Sequence, residues 1–505
     1  MTLAEATAGV DPPAQTITIE HASADATSLA ATSLDSLSLG HLRSVSDRRS
    51  IRSWMHTLDG RTERAVRRAL LALAVFPALI LVAWRFPHVS ERGIIGVYGI
   101  AVILSTASIF YLAFVRYRDP AEMAVPPTVL GERLVSFFIP VKNEQDNIEQ
   151  CVRSVLDSTY RNIELFVIDD GSTDGTRAVL ERIADCDRRL TVLCLDVSIG
   201  KKAALVTAAR HASGEYFVFT DSDCWLAPDA IVKCIAAFGA DPELGGMSGH
   251  ARALNADHSF LTRIQDVWYD GQFSISKAAE SSFGSVSCVS GPLAAFRREA
   301  IINYLPAWAS DRFVGQPFLF ATDRQLTAYV LGQQWVGEKL KALHADDPLV
   351  ADEPHEPRAW KVLYARSARV WTNVPESPRS FLRQQVRWKK SFIRNTAFNS
   401  SWMWRRGPVP AALYYGHVLW VTLAPVMVFL HLVWWPLHGY YLLTALYLAG
   451  VAVKGLAWGA AYRVQNPGDP KWIYRPLMTL ISAVMLSWLI IWSALTLRRS
   501  VWSRG

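Results

Sequence analysis

Residues 164–176 read Glu-Leu-Phe-Val-Ile-Asp-Asp-Gly-Ser-Thr-Asp-Gly-Thr, and this stretch decides the fold prediction. Its apolar run Leu165–Ile168 favours a strand and stops abruptly at two acids. Further apolar runs and helical patterns alternate around it: Leu134–Ile139, Asn147–Leu156, Arg177–Ala184, Lys201–Ala212 and Tyr216–Thr220. Strands that alternate with helices are typical of βαβ units, so the sequence predicts an α/β domain with a mostly parallel sheet.

Asp169 and Asp170 follow the strand directly, at the edge where parallel sheets bind ligands. Their carboxylates can accept hydrogen bonds from a base and a ribose, and Gly171 allows a close backbone approach. Two alternatives stay open. The spacing from Asp170 to Glu181 matches a calcium loop, although such a loop needs a preceding helix, and the stretch also suits a plain surface turn.

A second acidic motif, Asp221-Ser222-Asp223, follows the run Tyr216–Thr220. Side chains two positions apart on an extended chain point the same way, so the two carboxylates can share one hard cation. Mg²⁺ or Mn²⁺ held there would neutralise the charge of a departing diphosphate. The alternative for such a short motif is a solvated turn.

The sequence Gly200-Lys201-Lys202 opens a helical pattern, and a lysine near a helix N-terminus suits a phosphate. The motif is not a Walker A loop, because Leu195 stands where the upstream glycine is required. A solvated lysine pair is the alternative interpretation.

Composition indicates a catalytic domain combined with membrane spans. The 505 residues carry a net charge of +7, and only 19% are charged, below the roughly 25% of soluble domains. Five apolar stretches are close to the length of a membrane span: Ala69–Trp84, Ile94–Val115, Ala411–Trp435, Tyr440–Tyr462 and Leu477–Leu497. Three C-terminal spans would place the final arginines outside, against the positive-inside tendency, so the number of passes stays open.

The sequence predicts five segments: a disordered cytoplasmic tail (1–60), a transmembrane helical hairpin (61–118), a cytoplasmic catalytic domain (119–350), interfacial amphipathic helices (351–408) and C-terminal transmembrane helices (409–505). The basic run before the hairpin favours a cytoplasmic start. None of the six cysteines has zinc-ligand spacing, so reduced thiols are expected.

Three further blocks follow in order: Cys288-Val289-Ser290-Gly291-Pro292, then residues 321–327 (Ala-Thr-Asp-Arg-Gln-Leu-Thr), then residues 384–392 (Gln-Gln-Val-Arg-Trp-Lys-Lys-Ser-Phe). Together with the two acidic motifs and the flanking spans, the series resembles the processive family-two glycosyltransferases that make cellulose, chitin and hyaluronan. Within that group it is most similar to the hyaluronan synthases. Two departures stand out: Ala321-Thr322 replaces a usual Gly-Asp pair, and Asn373 replaces a usual acid.

The resemblance implies a GT-A-like, nucleotide-sugar-binding domain embedded between transmembrane helices, and an inverting transfer from a UDP-sugar to a growing polysaccharide. It assigns Asp323 as the general base, and Asp223 with Asp221 as ligands of Mn²⁺ or Mg²⁺. The other implied contacts are UDP-sugar binding by Asp169, Asp170, Lys201, Asp221 and Arg387, and acceptor binding by Cys288, Gln384 and Trp388. On the last of these blocks, outward-facing basic residues are expected at lipid headgroups or in solvent: Arg383, Lys389, Lys390 and Arg394.

Three functions are carried forward from the sequence. The first is a hyaluronan-type synthase that uses UDP-GlcNAc and UDP-glucuronate in the plasma membrane, as a multi-pass protein with a cytoplasmic catalytic domain. The second is a homopolymer synthase for a chitin-like product or a β-glucan, and the third is a catalytically silent membrane scaffold. The expected partners are UDP-sugars, the polysaccharide and the bilayer. No nucleic acid is expected, because the positive charge gathers beside the first span.

Overall fold

The structure is a computed structural model that describes residues 16–18 by their backbone, and residues 104–122, 133–320 and 322–499 in full. The predicted tail lies outside the described residues apart from 16–18, and the predicted hairpin lies outside them up to residue 103. Residues 104–111 are helical and continue into a π-helical turn, Leu112–Arg116.

A nine-stranded sheet, counted over the described residues, organises the domain. The strands are β1 (Thr16–Thr18), β2 (Val135–Val141), β3 (Ile163–Asp170), β4 (Leu190–Leu195), β5 (Tyr216–Phe219), β6 (Cys224–Leu226), β7 (Leu244–Ala253), β8 (Ala294–Arg297) and β11 (Lys361–Thr372), while β9 (Arg312–Phe313) and β10 (Gln316–Pro317) form a separate pair. The sheet order is β1-β4-β3-β2-β5-β8-β7-β11-β6. β8 runs antiparallel to both of its neighbours, and β6 runs antiparallel to β11. The predicted mostly parallel sheet is confirmed.

Strand β11 corrects one predicted boundary. It pairs in parallel with β7, yet it lies inside residues 351–408, where the sequence predicted interfacial helices. The sheet of the catalytic domain therefore extends well beyond residue 350.

The helices in chain order are α1 (Ile148–Leu156), α2 (Thr176–Ala184), α3 (Lys201–Ala209), α4 (Ala230–Ala240), α5 (Phe260–Gly271), α6 (Ala278–Ser281), α7 (Arg298–Ile301), α8 (Leu305–Ala309), α9 (Thr322–Ala342), α10 (Pro348–Ala351), α11 (Pro378–Asn399), α12 (Pro408–Phe429), α13 (Trp435–Leu437), α14 (Tyr441–Gln465), α15 (Arg475–Val484) and α16 (Leu489–Leu495). A π-helical segment, Gln272–Lys277, joins α5 to α6. The central strands are buried on both faces, as parallel strands covered by helices must be.

Among the described residues, two helical stretches are long and apolar enough to cross a membrane: Pro408–Leu437 and Tyr441–Gln465. A third candidate consists of two helices, Pro470–Val484 and Leu486–Leu495, which meet at a bend of 41°. The predicted stretch Leu477–Leu497 therefore corresponds to a broken helix, and the described C-terminal part offers two or three spans.

Helix α11 differs from its predicted surface position. The sequence placed Lys390 and Arg394 outward, but both are buried. Lys390 donates to the backbone carbonyls of Thr496 (2.5 Å) and Arg499 (2.8 Å), and Arg394 donates to Asp311 at 2.6 Å. These two cations hold the helix inside the protein, so the outward prediction is wrong for them.

We expect Arg394→Met to destabilise the protein by about 3–5 kcal/mol, because it leaves the buried carboxylate of Asp311 without its cation. Thermal unfolding of the full chain in detergent measures the change. The control is Arg383→Met on the same helix, where the side chain is exposed and the effect should stay within about 0.5 kcal/mol. Equal shifts in both variants would contradict a buried ion pair.

Candidate active site

The predicted functional residues gather at the carboxyl edge of the parallel strands. Asp169 and Asp170 end β3, and Asp221 follows β5. The turn after β4 leads into α3, which begins at Lys201. Parallel neighbours share this edge, so residues that are distant in sequence meet there.

The two acids that end β3, Asp169 and Asp170, lie at the edge of the site. Asp170 accepts hydrogen bonds from the backbone of Ile199 (2.7 Å) and Gly200 (3.1 Å) and from the hydroxyl of Ser198 (2.8 Å). Its carboxylate therefore fixes the loop before α3, and its predicted contact with a nucleoside stays a prediction. Asp169 accepts from the backbone of Ser172 at 2.8 Å, and its second oxygen, which is buried without a hydrogen bond, lies 3.6 Å from Nε of Arg177.

The calcium-loop alternative does not fit this geometry. A strand precedes the loop, as the sequence indicated. Asp174 accepts hydrogen bonds from the backbone (3.0 Å) and hydroxyl (2.5 Å) of Thr176, and it also accepts from Gln145. The carboxylates of this loop are therefore occupied in shaping the start of α2.

The two lysines of α3 take different roles. The ammonium of Lys201 pairs with Asp221 at the site. Lys202 is buried and donates to the carbonyl of Phe318 (2.8 Å) and to Gln325 (2.5 Å). Burial lowers the pKa of Lys202 to about 7. Only Lys201 is placed to meet an anionic ligand.

Asp221, Asp223 and Cys224 form a cluster whose ligand atoms lie within 4.8 Å of one another. Burial, followed by Asp223 and then Asp221, raises the pKa of the Cys224 thiol well above its ordinary value. The carboxylate oxygens are therefore the donors available to a hard cation, as Mg²⁺ and Mn²⁺ prefer. Lys201 already supplies positive charge to Asp221, which shows that this point favours a cation.

Gly291 brings Asp221 and the predicted base, Asp323, together. A methyl group on Gly291 would meet Asp221 Oδ2 at 2.9 Å and Asp323 Oδ2 at 3.1 Å, so the two oxygens lie within about 6 Å, the sum of those distances. The backbone N–H of Gly291 donates to Asp323 at 3.0 Å, and the hydroxyl of Thr322 donates at 2.6 Å. Both donors fix the orientation of the Asp323 carboxylate.

Lys277 is a buried cation at the candidate site that the sequence analysis did not single out. Its buried ammonium donates to the carbonyl of Cys288 (2.7 Å) and to the hydroxyls of Ser248 (2.8 Å) and Ser290. Burial lowers the pKa of Lys277 to about 8. These bonds hold the loop that carries Gly291, and they place half-buried Cys288 beside the site.

Tyr269, also missed, connects the last motif to the site. Its hydroxyl contacts Gln384, and its electrostatic neighbours include Asp223 and Arg387. Burial, followed by Asp223, raises the pKa of Tyr269. The ring of Trp388 lies 5.9 Å from the Tyr269 ring, so all three predicted residues of the α11 motif gather around this tyrosine.

The remaining tryptophans do not form one group. Six of them, near or within the C-terminal helices, could form a membrane-interface belt or sugar-stacking surfaces: Trp402, Trp404, Trp420, Trp434, Trp435 and Trp458. Trp402 is fully buried and stacks on Trp335 in the core, so it serves neither role. Trp420 and Trp458 lie under cationic side chains of the C-terminal helices.

Residues 136–305 match the family model for glycosyl transferase family 2. The chain is 29% identical over 336 residues to a hyaluronan synthase of Streptococcus pyogenes, covering 65% of this chain and 72% of the relative. It is 34% identical over 267 residues to an N-acetylglucosaminyltransferase of Azorhizobium caulinodans, covering 52% and 60%. The resemblance predicted from the motifs is confirmed.

Among solved structures, the chain is similar to a mannosyltransferase from Pyrobaculum calidifontis in complex with GDP-Man and Mn²⁺. The sequence identity is 22%, the alignment covers 81% of this chain and 99% of that one, and the TM-score is 0.45.

We expect Gly291→Ala to lower the glycosyl-transfer rate by at least about tenfold with little loss of stability. The added methyl group displaces the ends of two carboxylates, which can swing away without disturbing the core. Initial rates and thermal unfolding are measured on the same preparation. The matched control is Gly416→Ala, where an added methyl group has nothing within 4 Å. A normal rate for Gly291→Ala would contradict the shared position of Asp221 and Asp323.

Proposed function

We propose that this chain, a glycosyltransferase with a family 2 domain, is an inverting, membrane-integrated synthase that polymerises a polysaccharide from UDP-sugars and is of the hyaluronan type. The observation that carries the proposal is the meeting of Asp221 and Asp323 at Gly291, beside Asp223. Such a transfer requires one carboxylate that takes the proton of the acceptor hydroxyl. It also requires carboxylates that hold a metal ion at the diphosphate.

Asp323 acts as the general base. Its oxygens are oriented by Gly291 and Thr322, so a lone pair can face an acceptor hydroxyl without a change of rotamer. As that hydroxyl attacks C1 of the donor sugar, its proton passes to the carboxylate while UDP leaves from the opposite face. The sugar is transferred in one displacement, and no covalent enzyme intermediate is formed.

Asp221 and Asp223 would hold Mn²⁺ or Mg²⁺. Their oxygen donors suit either ion, which when bound would neutralise charge on the departing diphosphate. Lys201 lies at the same point and can pair with a phosphate oxygen when donor binds. Asp169 is our candidate for the uridine contact, because its second oxygen has no hydrogen bond and lies 3.6 Å from Nε of Arg177.

The acceptor lies between the loop of Cys288 and helix α11. Trp388 offers an indole face to the apolar side of a sugar ring, beside Trp268 (5.7 Å) and Tyr269. Gln384 lies next to the Tyr269 hydroxyl, and Arg387 is close enough to reach a diphosphate with its planar fork. Asp170 contributes indirectly, because it fixes the loop of residues 198–200 before α3.

The helical region anchors the enzyme in a membrane and gives the polar product a protein-lined exit. Pro408–Leu437 and Tyr441–Gln465 are the helices suited to crossing. We place the domain on the cytoplasmic side of a multi-pass plasma-membrane protein, since UDP-sugars are made in that compartment.

A homopolymer synthase is the second candidate function. It is favoured by the 34% identity to an N-acetylglucosaminyltransferase and by the two departures from the hyaluronan-synthase pattern, at residues 321–322 and at Asn373.

We expect polymer only when both UDP-GlcNAc and UDP-glucuronate are supplied to the purified full chain with Mn²⁺. Radiolabel in high-molecular-weight product is measured before and after digestion with a hyaluronan-specific lyase. Polymer from UDP-GlcNAc alone, resistant to the lyase and digested by chitinase, would support the homopolymer candidate instead. Absence of transfer from any donor pair would contradict both.

We expect Asp323→Asn to slow transfer by about 10²–10⁴-fold, because the amide can no longer accept the acceptor proton. UDP binding, measured by calorimetry, should stay within about twofold, since Asp323 is not assigned to the nucleotide. Asp346→Asn, an exposed acid after α9, is the control and should leave both quantities unchanged. Loss of UDP binding in the Asp323 variant would refute its assignment as the base.

A further inference from the structure

Helix α1 packs against β6 and against the turn that carries the proposed metal ligands. This turn, residues 221–224, leads from β5 into β6, and the backbone N–H of Cys224 donates to the carbonyl of Asp221 at 3.2 Å. The hydroxyl of Ser222, between the two acids, is buried and has no hydrogen-bond partner within the described part of the chain. Its own hydroxyl therefore does not fix the middle of the turn, and the groups that pack against the turn become important.

Cys151 of α1 contacts both ends of this turn. Its side chain is fully buried, and its thiol donates to the carbonyl of Asp221 at a sulfur–oxygen distance of 3.5 Å. The backbone N–H of Cys224 lies within hydrogen-bonding range of the same sulfur. Because a thiol is both a weak donor and a weak acceptor, this one side chain connects the first and the last residue of the turn.

The same face of α1 also holds strand β6. Ser154, three residues after Cys151, accepts from the backbone N–H of Leu226 at 3.1 Å and donates to the carbonyl of Cys151 at 2.7 Å. Residues three apart lie on one face of a helix, so Cys151 and Ser154 contact the turn and the strand together. The position of the turn is therefore tied to a buried helix face.

The Asp223 carboxylate is oriented from the neighbouring strands. Its Oδ1 accepts from the hydroxyl of Thr372 at 3.4 Å and from the thiol of Cys224 at 3.8 Å. Thr372 and Cys224 are register partners in the ladder between β11 and β6. An ion such as Mg²⁺ demands nearly ideal geometry at about 2.1 Å, so even a small shift of the turn relative to this ladder would weaken its binding.

We propose that Cys151 is a positioning residue for the metal site: through its two contacts with the turn, it keeps Asp221 and Asp223 where both can bind one divalent cation. The inference rests on the proposed function, in which these carboxylates hold Mn²⁺ or Mg²⁺. Cys151 acts through the backbone of the turn, and it is not one of the three residues whose ligand atoms cluster there.

Packing alone is the alternative role for a buried thiol, because free cysteines commonly behave as small apolar side chains. The two roles differ in what a substitution preserves. Valine fills the space of the thiol but can neither donate nor accept, whereas serine keeps both abilities in a smaller side chain. Loss of metal binding with valine and its retention with serine would indicate positioning, and the opposite pattern would indicate packing.

The test measures Mn²⁺ binding to the purified full chain in the presence of UDP, from the electron paramagnetic resonance signal of free Mn²⁺, corrected for Mn²⁺ bound by UDP alone. We expect Cys151→Val to weaken Mn²⁺ binding at least about threefold, the scale of one lost hydrogen bond. Cys151→Ser should stay within about twofold of the unsubstituted chain, the fraction of a hydrogen bond that its shorter reach removes.

Rate measurements on the same proteins give a second readout. In Cys151→Val, the Mn²⁺ concentration that supports half-maximal transfer should rise at least about threefold, in step with the binding change. The rate at saturating Mn²⁺ should stay within about twofold, because Cys151 touches neither the sugar nor the base. A loss of folded protein would instead lower the saturated rate and leave the half-maximal concentration unchanged.

Cys234→Val is the matched control. Cys234 is also fully buried on a helix, α4, but its electrostatic neighbours are Asp119 and Lys233 rather than the acids of the turn. We expect it to change thermal stability about as much as Cys151→Val and to leave Mn²⁺ binding unchanged. Equal weakening of Mn²⁺ binding in both valine variants would show a general destabilisation and would overturn the inference.

Unchanged Mn²⁺ binding in Cys151→Val would also overturn the inference, and so would a Cys151→Ser variant that loses binding as strongly as Cys151→Val does. Both results leave the proposed function intact, since the donor assay decides it separately. If the unsubstituted chain transfers sugar but binds no Mn²⁺ with UDP, the metal assignment of Asp221 and Asp223 fails, and this inference fails with it.

Discussion

The arrangement of the candidate site depends on Gly291, because a glycine has no side chain to fill the space between the two carboxylates. Asp221 and Asp323 come from different strands and helices, and like charges repel when they share a site. They meet because Gly291 offers no Cβ, a backbone N–H that donates to Asp323, and a loop held by Lys277. On its other side, Asp221 is compensated by Lys201. The roles proposed for Asp221 as a metal ligand and for Asp323 as the general base both depend on this arrangement of charges.

The sequence predicted the site because its acids stand where strands end, and local patterning reports strand ends well. It could not predict the tasks of individual carboxylates. Asp170 holds the loop at Ile199 and Gly200, and nothing within its own motif signals that partner. Lys277 and Tyr269 were missed for the same reason, since each acts through residues far along the chain. Neither residue lies in one of the motifs, and residues 260–277 carry many other polar side chains, so nothing local singled these two out.

Two errors in the sequence prediction have a common physical origin. Strand β11 carries alternating buried residues, among them Val362, Ala368 and Val370, but it was included with the helices that follow it. Helix α11 was read as interfacial because cations lined one side of it. Neither sequence pattern shows which part of the protein packs against a given face of the strand or the helix. Arg394 meets Asp311, and Lys390 meets carbonyls near the chain end, so both cations became buried.

Catalysis and chain exit need a common structural element, and helix α5 provides it. Tyr269 on α5 touches the α11 motif, while Asp266, one turn earlier, accepts two hydrogen bonds from Arg252 at 2.8 and 2.7 Å. Arg252 also donates to Tyr462 of α14 at 3.0 Å. Buried charge-assisted bonds of this kind resist separation, because breaking one strands a charge. These bonds tie the helix that carries Tyr269 to α14, so in the proposed function the acceptor platform keeps a fixed position relative to the helices that the product would pass.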